Sequence, residues 1–223
     1  MKLLRFILMV VLCLMALLST HAQGFLNLNF EKAKIAGLNG NLIPATNAFP
    51  NWIASALYMA YNDRSLSGAS ISIMDTNTLY TGFPVQGSYT ALLIGADPHI
   101  YGSNYVISLG QTGLVPVGTQ SITFWGDNQG LVITFNGQLL SFSALSTAAN
   151  YTVYGADISA YAGQVGLLQF AAPPTTGGTL DNIQFSNTAV PEPSALALAA
   201  LGGAFLAGNW LVIRWSSRNL HAA

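Results

Sequence analysis

Leu131-Val132-Ile133-Thr134-Phe135-Asn136-Gly137-Gln138-Leu139-Leu140-Ser141-Phe142 reads as two short strands around a tight turn. Residues 131–135 are β-branched or large and apolar, which suits a pleated, packed surface. Asn136-Gly137 supplies two residues that tolerate positive φ, as a two-residue type I′ turn requires, and 138–142 is the predicted return strand. Just upstream, Ser121-Ile122-Thr123-Phe124-Trp125 alternates polar and apolar, with Ile122 and Phe124 toward a core and Thr123 and Trp125 away from it. Further strands are expected at Ser70–Met74, Tyr89–Ile94, Tyr105–Leu109, Tyr151–Ala156, Gln164–Phe170 and Leu180–Ser186. Their spacing, punctuated by glycine and Asn/Asp clusters, predicts an all-β sandwich, with jelly-roll topology preferred. Trp52–Tyr61 is the one helix-like window.

The chain has 223 residues, 52% of them hydrophobic and only 7% charged. Residues 23–189, the predicted domain, carry three cations (Lys32, Lys34, Arg64) against seven anions. Nucleic acid binding needs a dense cationic surface to displace counterions, and that role is excluded. The single cysteine, Cys13, lies in the N-terminal apolar run, so the domain offers no disulfide, thiol nucleophile or thiolate metal site. His99 is its only histidine and, following Asp97-Pro98, reads as a loop residue.

Residues 1–22 have the three parts of a secretory signal peptide: Lys2 and Arg5, the apolar run Phe6–Leu18, and Thr20-His21-Ala22 before a cut at Gln23. Near the other end, 195–213 is an apolar stretch that as a transmembrane helix would reach about 28 Å, close to the thickness of a bilayer core. Trp210 and Trp215 mark its interface, and Arg214 and Arg218 assign 214–223 to a basic cytoplasmic tail. Between domain and span stands Val190-Pro191-Glu192-Pro193-Ser194, whose two prolines bar regular structure.

Val190-Pro191-Glu192-Pro193, apolar span and basic end, in that order, resemble the PEP-CTERM protein-sorting signal. The resemblance implies recognition by an exosortase-type sorting protease, an inner-membrane-anchored intermediate, and delivery to the cell surface or beyond. Two separated arginines stand where that family has a tighter basic cluster, and a plain single-pass anchor is the alternative.

Three stretches of the domain, Asn27-Leu28-Asn29-Phe30-Glu31, Asp157-Ile158-Ser159-Ala160-Tyr161-Ala162-Gly163-Gln164 and Leu180-Asp181-Asn182-Ile183, resemble jelly-roll domains of the carbohydrate-binding-module and galactose-binding-like kind. In many such domains a structural calcium ion joins the first and last strands. The resemblance implies Glu31 and Asp181 as its ligands; the alternative is two solvated strand-end acids. Calcium takes six to eight oxygens, many from backbone carbonyls, which glycine-rich loops offer.

Trp125, on the face away from the core, suits stacking on a sugar ring, with Asp127 and Asn128 beside it to bond hydroxyls; the alternative is a packing role. Tyr58, Tyr61, Tyr80 and Tyr101 are further candidates for a binding edge, while Trp52 reads as a core anchor. Catalysis finds little material. A glycosidase needs paired carboxylates, and Glu31 and six separated aspartates are all the domain has. There is no Gly-x-Ser-x-Gly elbow, phosphate loop or dinucleotide fingerprint. Two readings stand: an exported, non-catalytic surface or extracellular-matrix protein, and a carbohydrate-binding module for an extracellular polysaccharide.

Overall fold

The computed structural model describes residues 23–35, 42–63, 69–101 and 105–190. The predicted signal peptide, the span 195–213, the tail and Pro191-Glu192-Pro193 lie outside them. Among the described residues no helix is long and apolar enough to cross a membrane.

Thirteen strands among these residues form two sheets. The first has the order β1 (Ile53–Ser55), β5 (Ile107–Leu114), β12 (Val165–Ala172), β8 (Val132–Phe135), β9 (Gln138–Leu139). The second runs β10 (Phe142–Thr147), β11 (Thr152–Asp157), β6 (Ser121–Gly126), β13 (Gly177–Ser186), β4 (Thr90–Ile94), β3 (Ser70–Met74), β2 (Tyr58–Tyr61), with β7 (Asn128–Gln129) also on β13. Every neighbouring pair is antiparallel except β2–β3.

Period-two alternation is what holds the sheets together. On β12 Leu168, Phe170 and Ala172 are buried while Val165, Leu167 and Gln169 face outward; on β6 Ile122 and Phe124 are buried and Thr123 and Trp125 half-exposed. The inner faces share one core. Phe124 of β6 meets Phe170 of β12 edge-on at 5.7 Å, and Trp52 lies 6.3 Å from Phe170 and 5.5 Å from Phe30. Trp52 is therefore the anchor its sequence suggests, with its indole N–H donating to the Asn27 carbonyl at 3.0 Å.

The decisive hairpin is present. Asn136 (φ 50°) and Gly137 (φ 77°) make the turn, and Phe135 pairs with Gln138. Its second strand is shorter than expected: β9 ends at Leu139, Leu140 turns into the core, and Phe142 begins β10 in the other sheet. Two local expectations fail. The window 52–61 is not helical but carries β1 and β2, because its backbone pairs with the sheet edges, β1 on β5 and β2 on β3. His99 sits in a one-turn helix, α2 (Pro98–Tyr101), which follows the four-residue α1 (Ala45–Ala48); the Asp97 carboxylate accepts the His99 N–H at 2.9 Å.

Candidate functional site

The opening Asn-x-x-Phe-Glu is a compact double turn. Asn27 (φ 53°) and Phe30 (φ 59°) are both left-handed, and the Asn27 side chain ties the turn together by accepting the Lys32 N–H and donating to the Pro50 carbonyl. This geometry buries Phe30 completely and turns Glu31 onto the loop 86–89, where Glu31 Oε1 accepts the Ser88 and Tyr89 N–H groups at 2.7 and 3.2 Å. Gly87 lies under that carboxylate with φ +64°, and a Cβ there would overlap Glu31 Oε1.

Asp181 reaches the same loop from the other end of the chain. The β6–β13 register slips between Asp181 and Gln184, around Asn182 at φ 43°, and the displaced Ile183 N–H bonds to the Leu28 carbonyl instead. First turn and last strand are thereby joined. Asp181 is fully buried; it accepts the Gln86 N–H at 3.0 Å, the Thr90 hydroxyl at 2.7 Å and the Asn182 N–H at 2.7 Å. Burial, reinforced by the charge of Glu31 and resisted by those hydrogen bonds, pushes its carboxyl up to about 7. Among the described residues no group of three or more His, Cys, Asp and Glu side chains is placed to hold a metal, so any ion here would draw on backbone and solvent oxygens besides the two carboxylates.

On the outer face of the second sheet, Trp125 stacks on Tyr151 with ring centroids 4.6 Å apart and planes 4° apart. Both are half-buried. Asn150, adjacent to Tyr151 in sequence, and Asp127, two residues after Trp125, line a cleft of about 670 Å³ bounded by the 81–85 loop, α2 and the 175–179 backbone. Gln129, His99 and Asp97 line it as well, and Gln129 donates to Asp127 Oδ2 at 2.9 Å. The cleft contains aromatic, amide, hydroxyl and carboxylate groups, and among the described residues no lysine or arginine lines it. Thr179 fixes the β6–β7 crossing by bonding Asp127 through both its hydroxyl and its N–H.

The structure thus brings Glu31 and Asp181 to one loop, whereas Trp125 is paired with Tyr151 and only Asp127 of the predicted sugar-site residues lines the cleft. Asn128 is engaged elsewhere, since its Oδ1 accepts the Gly130 and Leu131 N–H groups at 3.0 and 2.7 Å and closes the turn into β8. Of the candidate tyrosines, Tyr61 is committed to Asp75, to which its hydroxyl donates at 2.8 Å, and Tyr58 bonds Tyr101. Tyr151, Asn150 and Gln129 have no signal of their own in the sequence, because only strand order brings Asn150 and Gln129 to one cleft and lays Tyr151 on Trp125.

Two sheets with a shared core place the body among mostly-β domains. Residues 189–214 match the PEP-CTERM protein-sorting motif, so the chain carries that motif directly after β13. No curated protein matches the chain. The solved structure of TmCBM61 in complex with beta-1,4-galactotriose is 13% identical with a TM-score of 0.39, over 74% of this chain and 97% of that one.

Proposed function

We propose that this is an exported, non-catalytic surface protein, made with an N-terminal signal peptide (1–22) and a C-terminal transmembrane helix (195–213), and sorted through Val190-Pro191-Glu192-Pro193 by an exosortase-type protease. The motif match at 189–214, directly behind the folded body, carries this reading. Replacing Pro191-Glu192-Pro193 by three alanines is expected to leave export intact and trap the protein with its tail attached. Processing at the rate of the unaltered chain, followed by pulse–chase and immunoblot, would refute it.

A specific observation favours a second property of the same protein, binding of a neutral extracellular polysaccharide by a jelly-roll body. The half-exposed Trp125–Tyr151 stack beside a cleft of hydrogen-bonding groups, with no lysine or arginine among its described lining residues, suits the apolar faces and hydroxyl edges of neutral sugar rings better than a sulfated or uronic chain. The alternation of the chain between the two sheets supports the jelly-roll topology. Affinity electrophoresis of the full chain in neutral and acidic polysaccharides is the test. Retardation by neutral glycans that Trp125→Ala abolishes is expected; equal retardation of that variant would remove the site.

We propose in addition a structural calcium ion at Glu31 and Asp181. The charge of Glu31 bears on the buried Asp181 carboxyl, and a calcium ion there would offset both charges and add to the contacts that join the first turn to the last strand.

A further inference from the structure

Val190, the first residue of Val-Pro-Glu-Pro, is half-buried rather than free. It lies on the outer face of the second sheet, over Gly155 of β11. A Cβ built on Gly155 would stand 3.0 Å from a Val190 methyl and 2.7 Å from Leu145 Cδ1, so the missing side chain is what makes the seat, with Leu145 beside it. The chain is led there by the Ser121 hydroxyl, which donates to the Thr188 carbonyl at 2.7 Å, and by the Thr188 N–H, which donates to Ser186 Oγ at 3.0 Å.

Only four residues, Pro191 to Ser194, separate this seat from the apolar stretch that starts at Ala195. Extended chain spans at most about 3.6 Å per step, so the five steps from Val190 to Ala195 reach no more than about 18 Å. A body pinned at Val190 cannot turn freely about so short a tether. We propose that the outer face of β6, β11 and β10 is the surface this domain turns toward the bilayer while its tail is attached. The proposal rests on the reading of 195–213 as a membrane span. Asp127 and Asp157, both exposed at the ends of β6 and β11, are repelled by anionic headgroups. The orientation is therefore assigned to the short tether from Val190 and not to attraction between this face and lipid. It also puts the Trp125–Tyr151 stack on the membrane-facing side of the anchored precursor, since Trp125 pairs with Val153, two residues along β11 from Gly155.

The test uses the full chain with Cys13→Ser, reconstituted into phosphatidylcholine vesicles with a nickel chelate on the headgroups. A nitroxide is attached through Ser143→Cys, which pairs with Gly155, or through Ser55→Cys, on the outer face of the other sheet. The expected result is paramagnetic relaxation several-fold stronger at 143 than at 55, with the difference erased by Gly155→Val and by Val190→Asp. Equal relaxation at the two sites in the otherwise native chain, or a difference that survives Val190→Asp, would overturn the pinned orientation. Failure of the chain to float with the vesicles would instead overturn the span reading, and the proposal with it.

Discussion

Glu31 and Asp181 grip one loop from opposite ends of the described body. Glu31 accepts the Ser88 and Tyr89 amides, and Asp181 accepts the Gln86 amide and the Thr90 hydroxyl. Between them they tie the first turn, the 86–89 loop and the closing strand into one unit, at the cost of setting two carboxylates near each other.

A calcium ion would relieve that cost. Saturating calcium is expected to raise the melting temperature by about 5 °C, the size of effect that tight binding to the native state gives a domain of this length. Asp181→Asn and Glu31→Gln should each abolish the increment while the apo protein stays folded. Differential scanning calorimetry with calcium and with chelator decides it; identical curves for the native chain would take calcium out of the account.

Tyr151 backs the indole of Trp125, so it orients the platform rather than forming all of it. Tyr151→Ala is expected to weaken glycan retardation about tenfold and to lower stability by about 1 kcal/mol, because a stacked pair contributes about 0.5–1.5 kcal/mol beyond its buried area. Tyr151→Phe keeps the ring and should bind like the native chain. A Tyr151→Phe variant as weak as Tyr151→Ala would assign the effect to the hydroxyl instead.

Asp75 gives the fold an acid limb. Burial works to raise its carboxyl, but hydrogen bonds from the Asn62 side chain, the Asn77 N–H, the Tyr61 hydroxyl and the Asn77 side chain outweigh it and hold the group below the ordinary carboxylate range. A depressed folded value means stability that is present above about pH 4 and lost as pH falls through the folded value. Asp75→Asn has one acceptor oxygen for the same donors and is expected to cost about 1–3 kcal/mol at pH 7. The gap between variant and native chain, read from urea unfolding, should narrow at pH 3; a gap constant from pH 7 to pH 3 would show that charge plays no part.

Local signals in the sequence determined what depends on neighbours along the chain. Positive φ is cheap at Asn136-Gly137, so the turn was legible; alternation in 121–125 set which side of β6 is buried; and the order of Val-Pro-Glu-Pro, apolar run and basic end marked the sorting motif. Where a segment was short and apolar, as at 52–61, the same signals failed, since a helix turn and an edge strand bury such residues equally well. The resemblance to jelly-roll domains set Glu31 beside Asp181 as an expectation, but only the tertiary structure decided how distant side chains meet. The slipped register at Asp181 joins it to the first turn, β11 beside β6 lays Tyr151 on Trp125, and Gly155 offers Val190 its seat. Those adjacencies follow from strand order and register across two sheets, which are fixed by packing of the whole core and leave no mark on any single stretch of residues.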